Sequence, residues 1–271
     1  MKKLVLVAIL VVIVMTGRTQ SFEGTIRWNM KVEVTDPAAK AKMEEAKRKA
    51  SDPANQAKIK EMQAKMNDPQ FKAMMEQNPQ MKAQMDAMMK MMAGGDLTSM
   101  LPSAIILKLK GSSSLITIQG GMMDGTDVLH LGDKDETFAI NHTAKTFTPM
   151  PKRDPNSQTK PKVTKTSETQ KILNYTCTKY IIETTTPEGK KVNADYWATT
   201  EIKDIDLKSL AKQQVGGNES FVLPEIEGFP LRVQSTMPEV GTITIETLEI
   251  KRGSVASSDL QIPAGYKEGK L

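Results

Sequence analysis

One cysteine and two histidines limit the chemistry open to this chain of 271 residues. The single Cys177 excludes an intramolecular disulfide and a multi-cysteine zinc site, and His130 and His142 alone cannot make a poly-histidine metal centre. A nucleophile–base–orienter set therefore has few possible members. Cys177 falls inside the strand-like run Tyr175-Thr176-Cys177, where packing rather than a loop would hold it, so it reads as a buried, inert thiol. His130 and His142 lie on neighbouring strand segments and read as separate residues rather than a pair. The acidic run Asp133, Asp135, Glu136 lacks calcium-loop spacing and reads as a solvated hairpin turn. The chain has no Gly-rich phosphate loop, dinucleotide fingerprint or zinc helix. No catalytic residue, metal or cofactor is assigned, and the chain reads as a non-enzyme.

Methionine is the unusual resource. There are 19, against 4% aromatic residues, and eleven fall between Met62 and Met100. Phe71, Asn78, Met85 and Met92 recur at steps of seven, flanked by Met74, Met81 and Met88, which makes a continuous stripe at helical spacing. Thioether side chains are flexible and polarisable, and suit varied apolar partners. They also suit Cu(I), although neither histidine is near in sequence. The plain alternative is that the stripe packs on the protein's own sheet. Candidate ligand-contacting residues are Met74, Met81, Met85 and Met88 on this stripe, Ile26, Trp28 and Met30 on the first strand, and Trp197 as an anchor.

The elements that must position these residues follow from periodicity. Lys2 and Lys3 precede an unbroken apolar run of 12 residues, Leu4 to Met15. That is short of the roughly 20 residues needed to span a bilayer, and with the small and polar residues after it the pattern reads as a signal peptide over 1–19. No cysteine lies near the cleavage point for lipid attachment. The leader holds three of the 37 basic residues and none of the 32 acids, so the formal charge drops from +5 to +2 without it. Nucleic-acid binding loses its main support, and a periplasmic or secreted protein with no transmembrane anchor after cleavage is expected. Residues 20–35 read as the first strand, with Ile26, Trp28, Met30, Val32 and Val34 on one face. Residues 36–95 form a helical, Met-rich insertion. Asp-Pro recurs at Asp36-Pro37, Asp52-Pro53 and Asp68-Pro69, and each pair supplies an N-cap and a first helical residue. Period 2 returns over 101–271 in many short strands, interrupted by a mobile, Pro/Lys/Thr-rich loop at 150–167. The lysines of that loop read as solvated. On the last long strand Ile243 and Ile245 share a phase that Leu248 and Ile250 do not, and a bulge near Glu246-Thr247 would reconcile them. The expected architecture is α+β: a strongly curved antiparallel sheet with the insertion packed as a lid.

Several runs from Leu101 onward carry a resemblance. They are Leu109-Lys110-Gly111, Leu131-Gly132-Asp133-Lys134, Ile172 through Tyr180, Tyr196-Trp197-Ala198-Thr199, Gly228-Phe229-Pro230-Leu231 and Ile262 through Tyr266. In this order they resemble a family of secreted bacterial proteins known as domain of unknown function 4412, which is similar to the periplasmic lipoprotein carriers. The resemblance implies a half-open barrel lidded by helices, with a concave apolar face for an acyl chain or another lipid ligand. It implies no catalytic residues. The insertion lies outside the matching runs, and its Asp-Pro and Asn-Pro pairs among Met and Gln resemble the client-binding helical repeats of some co-chaperones. Two functions result: an envelope protein holding a hydrophobic or lipid ligand, or a module binding apolar clients or an envelope protein partner through its Met helices.

Overall fold

A computed structural model describes residues 21–35, 37–71, 74, 85, 89, 101–152, 161–185, 191–211, 222–237 and 241–269. The leader, Met81 and Met88 lie outside the described residues.

Alternating apolar residues between Gly- and Ser-rich turns fold as expected, into β1 (Glu23–Glu33), β2 (Ala104–Lys110), β3 (Ser113–Gln119), β4 (Thr126–Leu131), β5 (Glu136–Asn141) and β6 (Thr146–Pro149). After them come β7 (Lys162–Ile172), β8 (Tyr175–Thr185), β9 (Lys191–Thr199), β10 (Phe229–Met237), β11 (Gly241–Arg252) and the two-residue β12 (Lys267–Glu268). All twelve join one sheet in the order β12-β6-β5-β4-β3-β2-β1-β11-β10-β9-β8-β7. Every neighbouring pair is antiparallel except β12 with β6. The sheet is not closed: β12 and β7 are its edges. One correction concerns the 150–167 loop, because Lys162 through Ser167 belong to β7. This strand is exposed along most of its length and held by backbone pairing to β8, so its side chains carry no alternation.

The helical reading holds at the two Asp-Pro positions whose helices are described throughout. α1 runs Pro37–Ser51 and α2 Pro53–Met66. The Asp52 carboxylate accepts the Ala54 N–H at 2.8 Å, and Asp68 accepts the N–H groups of Gln70 and Phe71 at 2.9 and 3.3 Å. Side-chain oxygens thus satisfy donors that a helix start leaves open. β1 and β2 are antiparallel neighbours, so the insertion grows from what would otherwise be a hairpin. Ala39 and Ile59 are the buried residues of α1 and α2, and neither belongs to the apolar clusters of the sheet.

Two bulges set which residues share a face. Across β1 and β11, Trp28 pairs with Thr247 and Arg27 with Glu249, leaving Leu248 unpaired and 51% exposed. Ile245 beside Met30 and Ile250 beside Ile26 therefore point the same way despite their opposite sequence phase. On β10, Pro230 pairs with Ala198 and Arg232 with Trp197, which leaves Leu231 as the extra residue. Proline has no N–H to give the ladder, and bulges are where strands tolerate it.

One face carries the main core. Ile26, Trp28, Leu107, Leu109, Ile116, Ile118, Phe229 and Leu231 pack with residues of a crossover that follows β9, namely Ile202, Ile205 and Leu210, the last on α3 (Leu207–Ala211). The crossover is tied to one end of the sheet. The Phe22 N–H donates to Asp204 O at 2.8 Å, the Ser209 hydroxyl donates to Ser112 O at 3.1 Å, and Arg252 pairs with Asp204. The opposite face, Leu115, Leu129 and Ile140, is covered by Val255 and Leu260 of the C-terminal tail.

Candidate functional site

The apolar face of β1 changes character along its length. Ile26 and Trp28 are 0% and 3% exposed, whereas Met30 and Val32 are only half-buried. On the partner strand Thr247 is buried, and Ile250, Ile245 and Ile243 are half-buried. Register places Met30 beside Ile245 and Val32 beside Ile243, with Val233 next to Ile245 on β10. On the other side Trp28 adjoins half-buried Ile105 of β2. The crossover covers the Phe22 end of this face. The half-buried strip Met30, Val32, Ile243, Ile245 lies at the other end, where the insertion leaves β1 and returns to β2. The two bulges turn Ile250, Thr247, Ile245 and Leu231 onto the same face.

The residues singled out from sequence divide accordingly. Ile26 and Trp28 are core, and the Trp28 ring packs on Phe229 with centroids 5.9 Å apart. Met30 lies on the strip. Trp197 is half-buried three strands away on β9. It lies opposite Lys179 in the ladder, with that ammonium 5.8 Å from its ring centroid. Lys179 also pairs with Asp195 at 2.9 Å, and the hydrogen bond to that carboxylate raises its pKa. Trp197 thus packs against the main core at a charge-laced margin, three strands from Met30. Met74 is helical and 44% exposed; Met85 is helical and half-buried.

The reactive side chains are occupied structurally. Cys177 is fully buried, and burial pushes its thiol up to about 11. His130 is buried, with Nδ1 3.0 Å from the Thr137 hydroxyl. His142 lies beyond the end of β5 on the opposite face. Its Nε2 is 2.8 Å from Asp127 and its Nδ1 2.9 Å from the Tyr266 hydroxyl. Asp127 and His130 differ by an odd step on a regular strand, so the two histidines serve different faces. The Asp127–His142–Tyr266 chain escaped sequence reasoning because no local spacing connects residues so far apart. Its evident effect is to fasten the tail, whose Lys267 and Gly269 N–H groups bond to Lys145 O and Phe147 O. Among the described residues no group of three or more His, Cys, Asp or Glu is placed to hold a metal ion. No helix among them is long and apolar enough to cross a membrane.

The fold is therefore an open antiparallel sheet with a helical insertion between its central strands and a tail pinned across one face. The chain belongs to the family described as Domain of unknown function (DUF4412), whose model matches residues 22–266. No curated protein matches it. Among solved structures, PNGF-II has a TM-score of 0.36 and 18% identity over 61% of this chain; the match spans 28% of that protein. A domain described as an outer membrane lipoprotein-sorting protein, from Vibrio parahaemolyticus, has a TM-score of 0.25 and 9% identity, covering 58% of this chain and 80% of that domain.

Proposed function

We propose that this chain is a non-enzymatic, periplasmic or secreted binding protein that holds the acyl chain of an amphiphile along Met30, Val32, Ile243 and Ile245. In this reading the Met-rich insertion closes over the bound chain and the sheet acts as a half-barrel. The observation that carries it is the fall in burial along β1 toward the end from which the insertion departs, where half-buried Ile243 and Ile245 of β11 lie alongside. From Met30 to Val32 the strip runs about 7 Å at ~3.3 Å per residue. That accommodates about five methylenes, worth ~4 kcal/mol at ~0.8 kcal/mol each. Association costs of at least ~4 kcal/mol offset that gain, so a cover over the exposed side of the acyl chain is needed for holding.

The test is displacement of a dansylated undecanoic acid from the leaderless protein. Ile245→Glu and Met30→Glu place a charge on the strip without entering the packed end, and each should abolish the fluorescence gain. Joining β1 to β2 by a short turn in place of residues 36–94 should leave a folded sheet with weakened binding. Undiminished probe binding in both charge variants would refute the assignment of the strip.

A further inference from the structure

We propose that the α1–α2 arm docks the protein on an anionic lipid bilayer. Between residues 37 and 66 there are eight basic and four acidic side chains. All three glutamates of the arm are already matched by lysines one helical turn on: Lys47 with Glu44, Lys49 with Glu45 and Lys65 with Glu61, at 3.3, 2.7 and 2.9 Å. The fourth acid, Asp52, caps α2. Lys40, Lys42, Arg48, Lys58 and Lys60 remain, all exposed and without an ion-pair partner among the described residues. The loop lysines before and within β7 contrast with them. Lys152, Lys162 and Lys165 pair with Asp135, Glu183 and Glu227 at 2.9, 2.9 and 2.7 Å. Unpaired cations also occur elsewhere among the described residues, Lys31, Lys171 and Lys251 among them, but the arm gathers five within the 21 residues from Lys40 to Lys60.

The arm buries Ala39 and Ile59 and presents no broad apolar stripe of its own, so its attraction to a bilayer is electrostatic rather than insertional. Each cation near an anionic membrane surface strengthens binding about fivefold, and the effect decays within a Debye length of ~10 Å at 0.1 M salt. α1 starts four residues beyond β1, within about 14 Å of contour. Docking through the arm therefore keeps the open end of the strip close to the bilayer. This deepens the proposed function and rests on it for the cargo, not for the membrane contact itself.

The experiment is flotation of the leaderless protein with vesicles of phosphatidylcholine alone or with about one-third phosphatidylglycerol, at low and at 0.3 M salt. Binding should appear only with phosphatidylglycerol and should fall with salt. Lys58→Gln/Lys60→Gln should lower the partition coefficient about 25-fold at ~5-fold per cation. These exposed helical positions tolerate substitution, and the melting temperature should be unchanged. Ile245→Glu should lose the acyl probe yet still float, which separates failure of the strip from failure of the arm. Equal binding to both vesicle types, no flotation at low salt, indifference to the double substitution, or equally tight binding to duplex DNA at the same salt would each overturn the proposal.

Discussion

Replacing Phe229 with Ala tests whether the end of the apolar face beneath the crossover is packed solid. Phe229 is fully buried, its ring lies 5.9 Å from that of Trp28, and Leu231 and Ile26 beside it in the core are also fully buried. Removing the ring forfeits its transfer free energy and leaves a cavity, which costs ~3–5 kcal/mol in a core that cannot collapse. The aromatic pairing is worth ~0.5–1.5 kcal/mol beyond area. A double-mutant cycle with Trp28→Leu should return that coupling, since each single change removes the same ring–ring contact. Urea unfolding followed by the far-ultraviolet signal measures the total. In a chain of this size the melting temperature should drop by about 2–4 °C for each kcal/mol. A loss below about 1 kcal/mol, or a coupling near zero, would mean that the hollow has room beside the ring. The acyl chain would then have to be placed at the Phe229 end and not on the strip.

Three further outcomes follow from the same geometry. Cys177 should resist a disulfide-exchange reagent at pH 8 in the native protein and react at once in denaturant, because burial holds its pKa near 11. The hydrogen bond from Arg252 lowers the Asp204 pKa. A carboxylate depressed on folding contributes stability that is present above its unfolded value and lost as pH falls through its folded value. Asp204→Asn should therefore lower the melting temperature at pH 7, and the gap from the parent should close below about pH 4. Gly228 adopts φ of +102°, and a Cβ there would lie 2.3 Å from the Thr199 carbonyl oxygen. Gly228→Ala should cost more than ~2 kcal/mol by urea unfolding, since both φ and space oppose it.

Much of the fold was legible because local signals and tertiary demands agree along the central strands. β2 and β9 begin and end where period-2 alternation meets turn residues. α2 starts where Asp52-Pro53 both caps and stops, because the cap is a local hydrogen bond that needs no partner from elsewhere. The β11 bulge was legible as a phase conflict, and its location is one residue beyond Glu246-Thr247, at Leu248. Only the pairing partner decides which residue of such a conflict is extruded. β7 went unread because an edge strand is specified by the backbone of β8. Lys, Thr and Ser on both of its faces leave no pattern to find. β12 spans two residues and depends on a tail anchored through Tyr266 and His142.

The candidate site was half legible for a related reason. Phase alone assigns Ile26, Trp28, Met30 and Val32 to one face, and that assignment stands. Phase carries no information about what covers that face. The cover comes from Ile202, Ile205 and Leu210, in a short segment whose sequence reads as an ordinary connection and helix. Its placement is fixed by a carboxylate pairing with Arg252 and a hydroxyl reaching Ser112, both far away in sequence. Those contacts divide one uniform apolar stripe into an end packed as core and a half-buried end. Loosening the crossover should therefore convert core into site. Asp204→Ala/Ser209→Ala removes two of its tethers, and should increase both the stoichiometry of acyl probe bound and the susceptibility of residues 200–211 to proteolysis. If the crossover merely decorates a sheet already packed beneath it, the double variant will bind no more probe than the parent.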